Sequence, residues 1–454
     1  MPRLNVWAQD KIERVMQQSM PITNYINLSV KKTRMPIQVE VYQLLIVAII
    51  LIFGYLAEFM FKKFNIPDML FLIVLGFILG PVLKYITPEQ VAPFAPFFTA
   101  FALLFLLFDG AFNIDLASFA KGLSSGLLVT ITNYLISSTV ISLILIIFSP
   151  IIEQYTPIRF TIATAILTGF MLSGISSSFV IPVLRQMNIK GEIYSILTLE
   201  SALTDVLSIV AALTTMEIIK LSSFNSQIVA SNIASLFAVA GFIGIIAGII
   251  WIIIVTKVLR HNKSYMVTIA YLIIVYVITT LVGGNGAIAA LFFGLVLKNS
   301  RQLTSIAGNI VHKKSEKKSE EKDYGVSVTS PVEQLFYSQI AFFLKTFFFV
   351  YIGVLISPTN LIAWIIGFVL AFSVMLSRMF SRIILKGFKE FEKKLATSIF
   401  AQGLASAAIA QLLIAQKIPG TEFIPPIVYT FITFTIILSS IKIFMLKRTM
   451  AVQE

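Results

Sequence analysis

The chain has 454 residues, 57% of them hydrophobic and 13% charged, with a net charge of +13. A soluble domain carries about a quarter charged residues, so a soluble globular enzyme or binding module is excluded as a description of this chain. Cysteine is absent, and the two histidines, His261 and His312, lie in polar stretches, which excludes thiol chemistry, disulfides and Cys- or His-rich metal sites.

Residues 1–39 form a mixed polar tail without the apolar core of a signal peptide, so the first span directs insertion. Many apolar runs then reach the roughly 20 residues that cross a bilayer as helix. Residues 236–256, LFAVAGFIGIIAGIIWIIIVT, are one example. In hydrocarbon the backbone must satisfy its own hydrogen bonds, so such runs are helices. They lack the alternation of a β-barrel. The expected fold is an all-α polytopic membrane protein with about 13 spans. These lie near 40–62, 67–86, 92–112, 122–150, 159–186, 192–220, 228–258, 265–282, 284–298, 332–356, 360–386, 393–415 and 422–446. The eighth and ninth meet at Gly283-Gly284.

Charge orients these spans. One set of connections carries Lys62, Lys63, Lys121, Arg185, Lys190, Lys257, Arg260, Lys263, Lys386, Lys389, Lys393 and Lys394, and the tail with Lys447 and Arg448 falls on the same side. The alternate set carries little beyond Lys84, Arg159, Lys220 and Lys417. The rich side is expected to be cytoplasmic, with the N-terminus outside and the C-terminus inside. The basic N-terminal tail, with Arg3, Lys11 and Arg14, runs against this rule. Charge placed between apolar runs points to topology rather than to a nucleic-acid partner. The loop 299–330, with its core HKKSEKKSEEKDYG, reads as a solvated low-complexity linker.

Ionisable residues inside spans are costly and are functional candidates by default. Here they are Asp109 at the end of the third span, Glu200 and Asp205 in the sixth, Lys345 in the tenth and Arg378 in the eleventh. On a helix Ser201 and Asp205 share one face, while Glu200 and Thr204 form a second pair turned about 100° away. One carboxylate can therefore be structural while the other meets a cavity. Arg378 is the natural partner for Glu200, as a scaffold ion pair. Asp205 has a hydroxyl beside it and no cation in its own helix, which favours a transport role.

The fifth span contains LSGISSSFVIP, Leu172 to Pro182, a weak helix with Gly174, three serines and a proline. The twelfth contains TSIFAQGLASAAIAQ, Thr397 to Gln411, again small and polar. Taken singly, each could be close packing by small residues. The twelfth comes seven spans after the fifth, so the two run in opposite directions, and two weakened helices in opposed topology are the mark of inverted-repeat transporters with discontinuous crossing helices.

At these residues the chain resembles the monovalent cation/proton antiporter superfamily, above all the sodium/proton exchanger branch with a Glu-Ser-x-x-Asn-Asp signature. The match is Glu200-Ser201-Ala202-Leu203-Thr204-Asp205. Leu103 to Leu116 is similar to that family's third-span motif, Phe342 to Gly353 to its tenth span, and the Arg378 segment to its eleventh. The resemblance covers roughly residues 40–446. It implies that Asp205 binds the ion and the proton, that Ser201 and Asp109 stand near the ion, and that Glu200 and Arg378 are a structural pair. Two departures matter. Thr204 stands where the signature has Asn, and Ile175-Ser176-Ser177 replaces Thr-Asp-Pro, which resembles the potassium-efflux branch. Lys345 is similar to a tenth-span lysine of electrogenic members, a possible charge partner of Asp205.

The resemblance implies a homodimer in which a bundle moves ions against a fixed interface. The interface spans would be 40–118 and 263–358, and the ion-carrying spans 119–222 and 359–454, with 223–262 as the linking span. The expected activity is exchange of Na⁺ for H⁺ in a cell membrane, electroneutral, with no cofactor. Asp205 would bind the cation together with Ser201, Thr204, Asp109, Ser176 and backbone carbonyls. The alternatives are K⁺/H⁺ antiport and a cation channel on the same fold. An intramembrane aspartyl enzyme using Asp205 and Asp109 lacks any recognisable motif.

Overall fold

A computed structural model describes residues 44–45, 47–61, 67–91, 95–112, 125–155, 161–221, 226–258, 265–301 and 331–451. The polar tail 1–39, the loop 302–330 and several basic connections, among them Lys62, Lys63, Lys121, Arg159, Arg260 and Lys263, lie outside the described residues. The chain divides into two compact units, Met1–Leu56 and Ala57–Glu454. The described part of the first is almost wholly helical, and every helix described after residue 61 lies in the second.

All regular structure among the described residues is helical. The order is α1 (Val47–Phe61), α2 (Asp68–Val82), α3 (Ala95–Phe112), α4 (Ser125–Tyr155), α5a (Ile162–Met171), α5b (Ser177–Gln186) and α6 (Glu192–Leu221). Then come α7 (Ser226–Ile253, extended by a π-helical turn), α8 (Tyr265–Leu281), α9 (Gly286–Lys298), α10 (Pro331–Leu355) and α11 (Leu361–Ile384). The last are α12a (Glu390–Ser398), α12b (Leu404–Gln416) and α13 (Ile424–Ala451). Five of these helices are long and apolar enough, by length and composition, to cross a membrane, and eight shorter ones are apolar over 10–17 residues.

The helix ends follow from local chemistry. Thr161 and Thr164 form a capping box at the start of α5a. Asn360 caps α11 by accepting from Ala363 N at 3.1 Å. The joint at Gly283-Gly284 is a turn in which Gly283 has φ +82°, a backbone that favours glycine, and Asn285 then caps α9. Gly76 of α2 and Gly353 of α10 pack against each other's backbones, so that a Cβ at either would overlap main-chain atoms. Small residues thus bring these two helices into direct backbone contact.

Both expected interruptions are present. Residues 172–176 separate α5a from α5b, and residues 399–403 separate α12a from α12b. The two breaks touch. Ser176 N donates to Ala401 O at 2.8 Å, and Gly403 lies so close to the Ser176 side chain that a Cβ there would overlap it. A chain in hydrocarbon can leave the helix only where protein supplies partners for the freed backbone groups, and here each break supplies partners to the other.

Candidate functional site

The site is built where α6 passes the two breaks. α6 presents Glu200, Ser201 and Thr204, all buried, and Asp205, which is partly exposed. Ser177, at the first turn of α5b, donates its hydroxyl to Asp205 Oδ2 at 2.9 Å. The N-terminal end of a helix carries unpaired N–H groups and partial positive charge, a favourable setting for a carboxylate. Thr204 Oγ1 accepts from Ile175 N at 3.1 Å, so the residue before the aspartate fixes the middle of the break. From the other side Gln402 Nε2 donates to Gly174 O at 2.6 Å, and Ser406 Oγ donates to Met171 O at 2.5 Å.

Glu200 faces away from this contact, as the helical period requires. Arg378 binds both of its carboxylate oxygens, Nη2 reaching Oε2 at 3.2 Å, with side-chain exposures of 3% for Arg378 and 1% for Glu200. Asn133 of α4 donates to Glu200 Oε1 at 2.9 Å, and Ser381 donates to Asn133 Oδ1 at 2.9 Å. Arg378 Nη2 also donates to Ala396 O at 3.0 Å, near the end of α12a. Lys442 of α13 donates to the next carbonyl, Thr397 O, at 2.8 Å. The C-terminal end of α12a therefore carries two cations, which suits its dipole.

A family model described as sodium/hydrogen exchanger, transmembrane, matches residues 47–450. The chain belongs to this family. Its activity is antiport of sodium ions against protons across a membrane that it spans many times. The exchanger's fold matches two structures of the sodium proton antiporter MjNhaP1 from Methanocaldococcus jannaschii. One, at pH 8, gives a TM-score of 0.64 at 19% identity and covers 89% of this chain and 95% of that one. The other, an electron-microscopy structure, gives 0.60 at 21% identity over 90% and 96%. No curated protein matches the chain.

The exchanger's geometry redistributes several of the residues that the sequence singles out. Ser201 and Ser176 make no hydrogen bond to Asp205. Ser201 Oγ turns back onto Thr198 O of its own helix at 2.9 Å, a common alternative for a helical serine. Ser176 is the backbone N-cap of α5b and lies in the crossing itself. The hydroxyl on Asp205 belongs to Ser177, one residue further on. Asp109 is exposed on α3. Gly110, beside it, packs on Val206.

Lys345 was expected as a charge partner of Asp205 and instead forms an ion pair with Asp68. The cause is the close packing of α2 on α10 through Gly76 and Gly353, which faces Lys345 toward the start of α2. Asp68 also accepts from Met69 N at 2.9 Å. Asp68 was missed because a carboxylate after Pro67 reads as a helix start rather than as a buried charge. Lys442 was missed because it lies near the end of the last span, where a lysine reads as topology. At the first residue of α12a, hydrogen bonds from Lys393 and Arg382 hold the Glu390 carboxyl below its ordinary pKa.

Proposed function

We propose that Na⁺ and H⁺ compete for Asp205, so that the exchanger alternates between a cation-loaded and a proton-loaded aspartate. The observation that carries this reading is the Asp205 carboxylate held by Ser177 at the N-terminal end of a half-helix, partly exposed, with no cationic side chain hydrogen-bonded or ion-paired to it among the described residues. Ionised, Asp205 attracts a cation, and Asp109 adds negative charge. The hydroxyl of Ser177 and backbone oxygens of the break replace part of the cation's water shell. Hard monovalent cations favour such oxygen ligands. Ser177 donates to the carboxylate now and turns a lone pair to the cation when one arrives, which a freely rotating hydroxyl allows. Protonation of Asp205 removes the charge and releases the cation. Thr204 positions the break, and Glu200 with Arg378 holds the scaffold.

Exchange is electroneutral on this reading. One carboxylate gives up one proton for one unit charge, Thr204 cannot ionise, and Lys345 is committed to Asp68. Spans 119–222 and 359–454 move as the ion-carrying bundle against spans 40–118 and 263–358 in a homodimer. The protein sits in the cell membrane with its N-terminus outside and its C-terminus in the cytoplasm. The test is Na⁺-driven proton movement in proteoliposomes, with Na⁺, K⁺ and Li⁺ compared and the reversal point measured at several clamped potentials. A reversal point independent of voltage is expected. A reversal that shifts with voltage contradicts electroneutrality, and uncoupled current contradicts antiport.

A further inference from the structure

The break in α5 releases backbone carbonyls beside α6, the helix that carries Asp205. Two of them are already in use. Gly174 O accepts from Gln402 Nε2 at 2.6 Å, and Met171 O accepts from Ser406 Oγ at 2.5 Å. Ser406 Oγ is also 3.0 Å from Gln402 Oε1, so the two side chains brace each other. Gln402 is 2% exposed, Ser406 is fully buried, and Gln402 N is anchored to Thr435 Oγ1 of α13 at 3.1 Å. Gln402 lies in the break in α12, and Ser406 lies in the first turn of α12b. The carboxamide thus binds a carbonyl one residue before Ile175, whose own N–H is held by Thr204.

We infer that Gln402, braced by Ser406, is a specificity-determining positioning residue of the exchanger. By holding the Gly174 carbonyl it keeps that oxygen out of the cation's ligand set, and it leaves the hydroxyl of Ser177 and the carboxylate of Asp205 to dominate coordination. This rests on the reading of Asp205 as the ion site. The physical ground is that a carbonyl pinned by an amide donor is a weaker and less mobile ligand than a free one. Rings of backbone carbonyls replace the hydration shell of K⁺ in K⁺-selective filters, so a further free carbonyl shifts the ligand set toward K⁺. Gln402 therefore biases the site toward Na⁺ without touching the ion.

The experiment uses purified full-length protein in proteoliposomes and measures apparent KM and maximal rate for Na⁺ and K⁺. Gln402→Met keeps the length of the side chain and removes its donor. Ser406→Ala keeps Gln402 and removes its brace, and it serves where the first variant folds poorly. The ratio of the two KM values is expected to move toward K⁺ by about fivefold in Gln402→Met, the scale of one hydrogen bond lost. Ser406→Ala moves it in the same direction by less. A merely structural role lowers protein yield and maximal rate for both ions and leaves the ratio alone. An unchanged ratio, or one that moves toward Na⁺, overturns the inference. Asp205→Asn is run in parallel: an active Asp205→Asn protein refutes the ion site itself, whereas an inactive one with unchanged ratios in the other variants refutes only the role of Gln402.

Discussion

The breaks in α5 and α12 solve the same backbone problem with opposite electrostatics. At the break in α12, the C-terminal carbonyls of α12a are held by Arg378 and Lys442, and its extended residues lean on Thr435 and Ser439 of α13. Arg378 is in turn locked to Glu200. At the break in α5, the last carbonyl of α5a and a carbonyl of the break itself are held by neutral donors, and the N-terminal end of α5b faces the Asp205 carboxylate. Among the described residues, no such carboxylate is hydrogen-bonded at the start of α12b. On the proposed reading, the difference separates a scaffold from a site. Charges whose partners are permanent cannot exchange, whereas a carboxylate held by one hydroxyl and a helix end can trade a proton for a cation.

The largest expected effect comes from removing the one exchangeable charge. Asp205→Asn keeps the shape of the side chain and its contact with Ser177, so the protein folds and inserts while exchange falls to background in a proteoliposome flux assay. Full activity in that variant would erase the distinction between the two breaks.

Next comes the fixed charge. Glu200→Ala or Arg378→Ala strands a buried partner and lowers stability by about 3–5 kcal/mol, seen as a fall in melting temperature and in folded yield. The double variant is expected to lose less than the sum of the singles, because it leaves no isolated charge. Singles as stable as the wild type would show that the pair is not a scaffold. Lys442→Met removes the second cation from the end of α12a and costs about 1 kcal/mol by loss of its interaction with the helix end. That smaller fall in melting temperature should leave the apparent KM for Na⁺ unchanged, since Lys442 binds the end of α12a at Thr397 O and makes no hydrogen bond to Asp205. A KM effect as large as the stability effect would place Lys442 in the cation site.

How far the sequence discloses this arrangement depends on the kind of signal. The membrane class and the helices follow from runs of apolar residues that only a bilayer explains. Both breaks are legible because glycine, proline and consecutive small polar residues inside a span have no other common meaning than interruption or close packing. The orthogonal faces of Glu200 and Asp205 follow from the helical period alone. What is not legible is register across the crossing. Three successive serines, Ser176 to Ser178, offer three hydroxyls, and only the turn at which α5b begins selects Ser177. The pairing of Lys345 with Asp68 joins residues far apart in the chain and depends on two glycines meeting, which no local pattern encodes.

The smallest expected effect lies farthest from the crossing. Removing residues 313–323 deletes charge that cannot bury apolar surface, so exchange in a well-expressed deletion should match the wild type within assay error. Loss of exchange there would add the loop to the transport machinery.

The most direct measurement of the central claim is proton release on cation binding. Purified protein in weakly buffered detergent solution is titrated with NaCl, choline chloride serving as the control, while a pH dye counts protons and calorimetry counts bound Na⁺. At a pH low enough that Asp205 is protonated before sodium is added, competition predicts one proton released per sodium bound, with a lower apparent affinity as the pH falls further and no release in Asp205→Asn. Sodium binding without proton release, or the same release from Asp205→Asn, would contradict it.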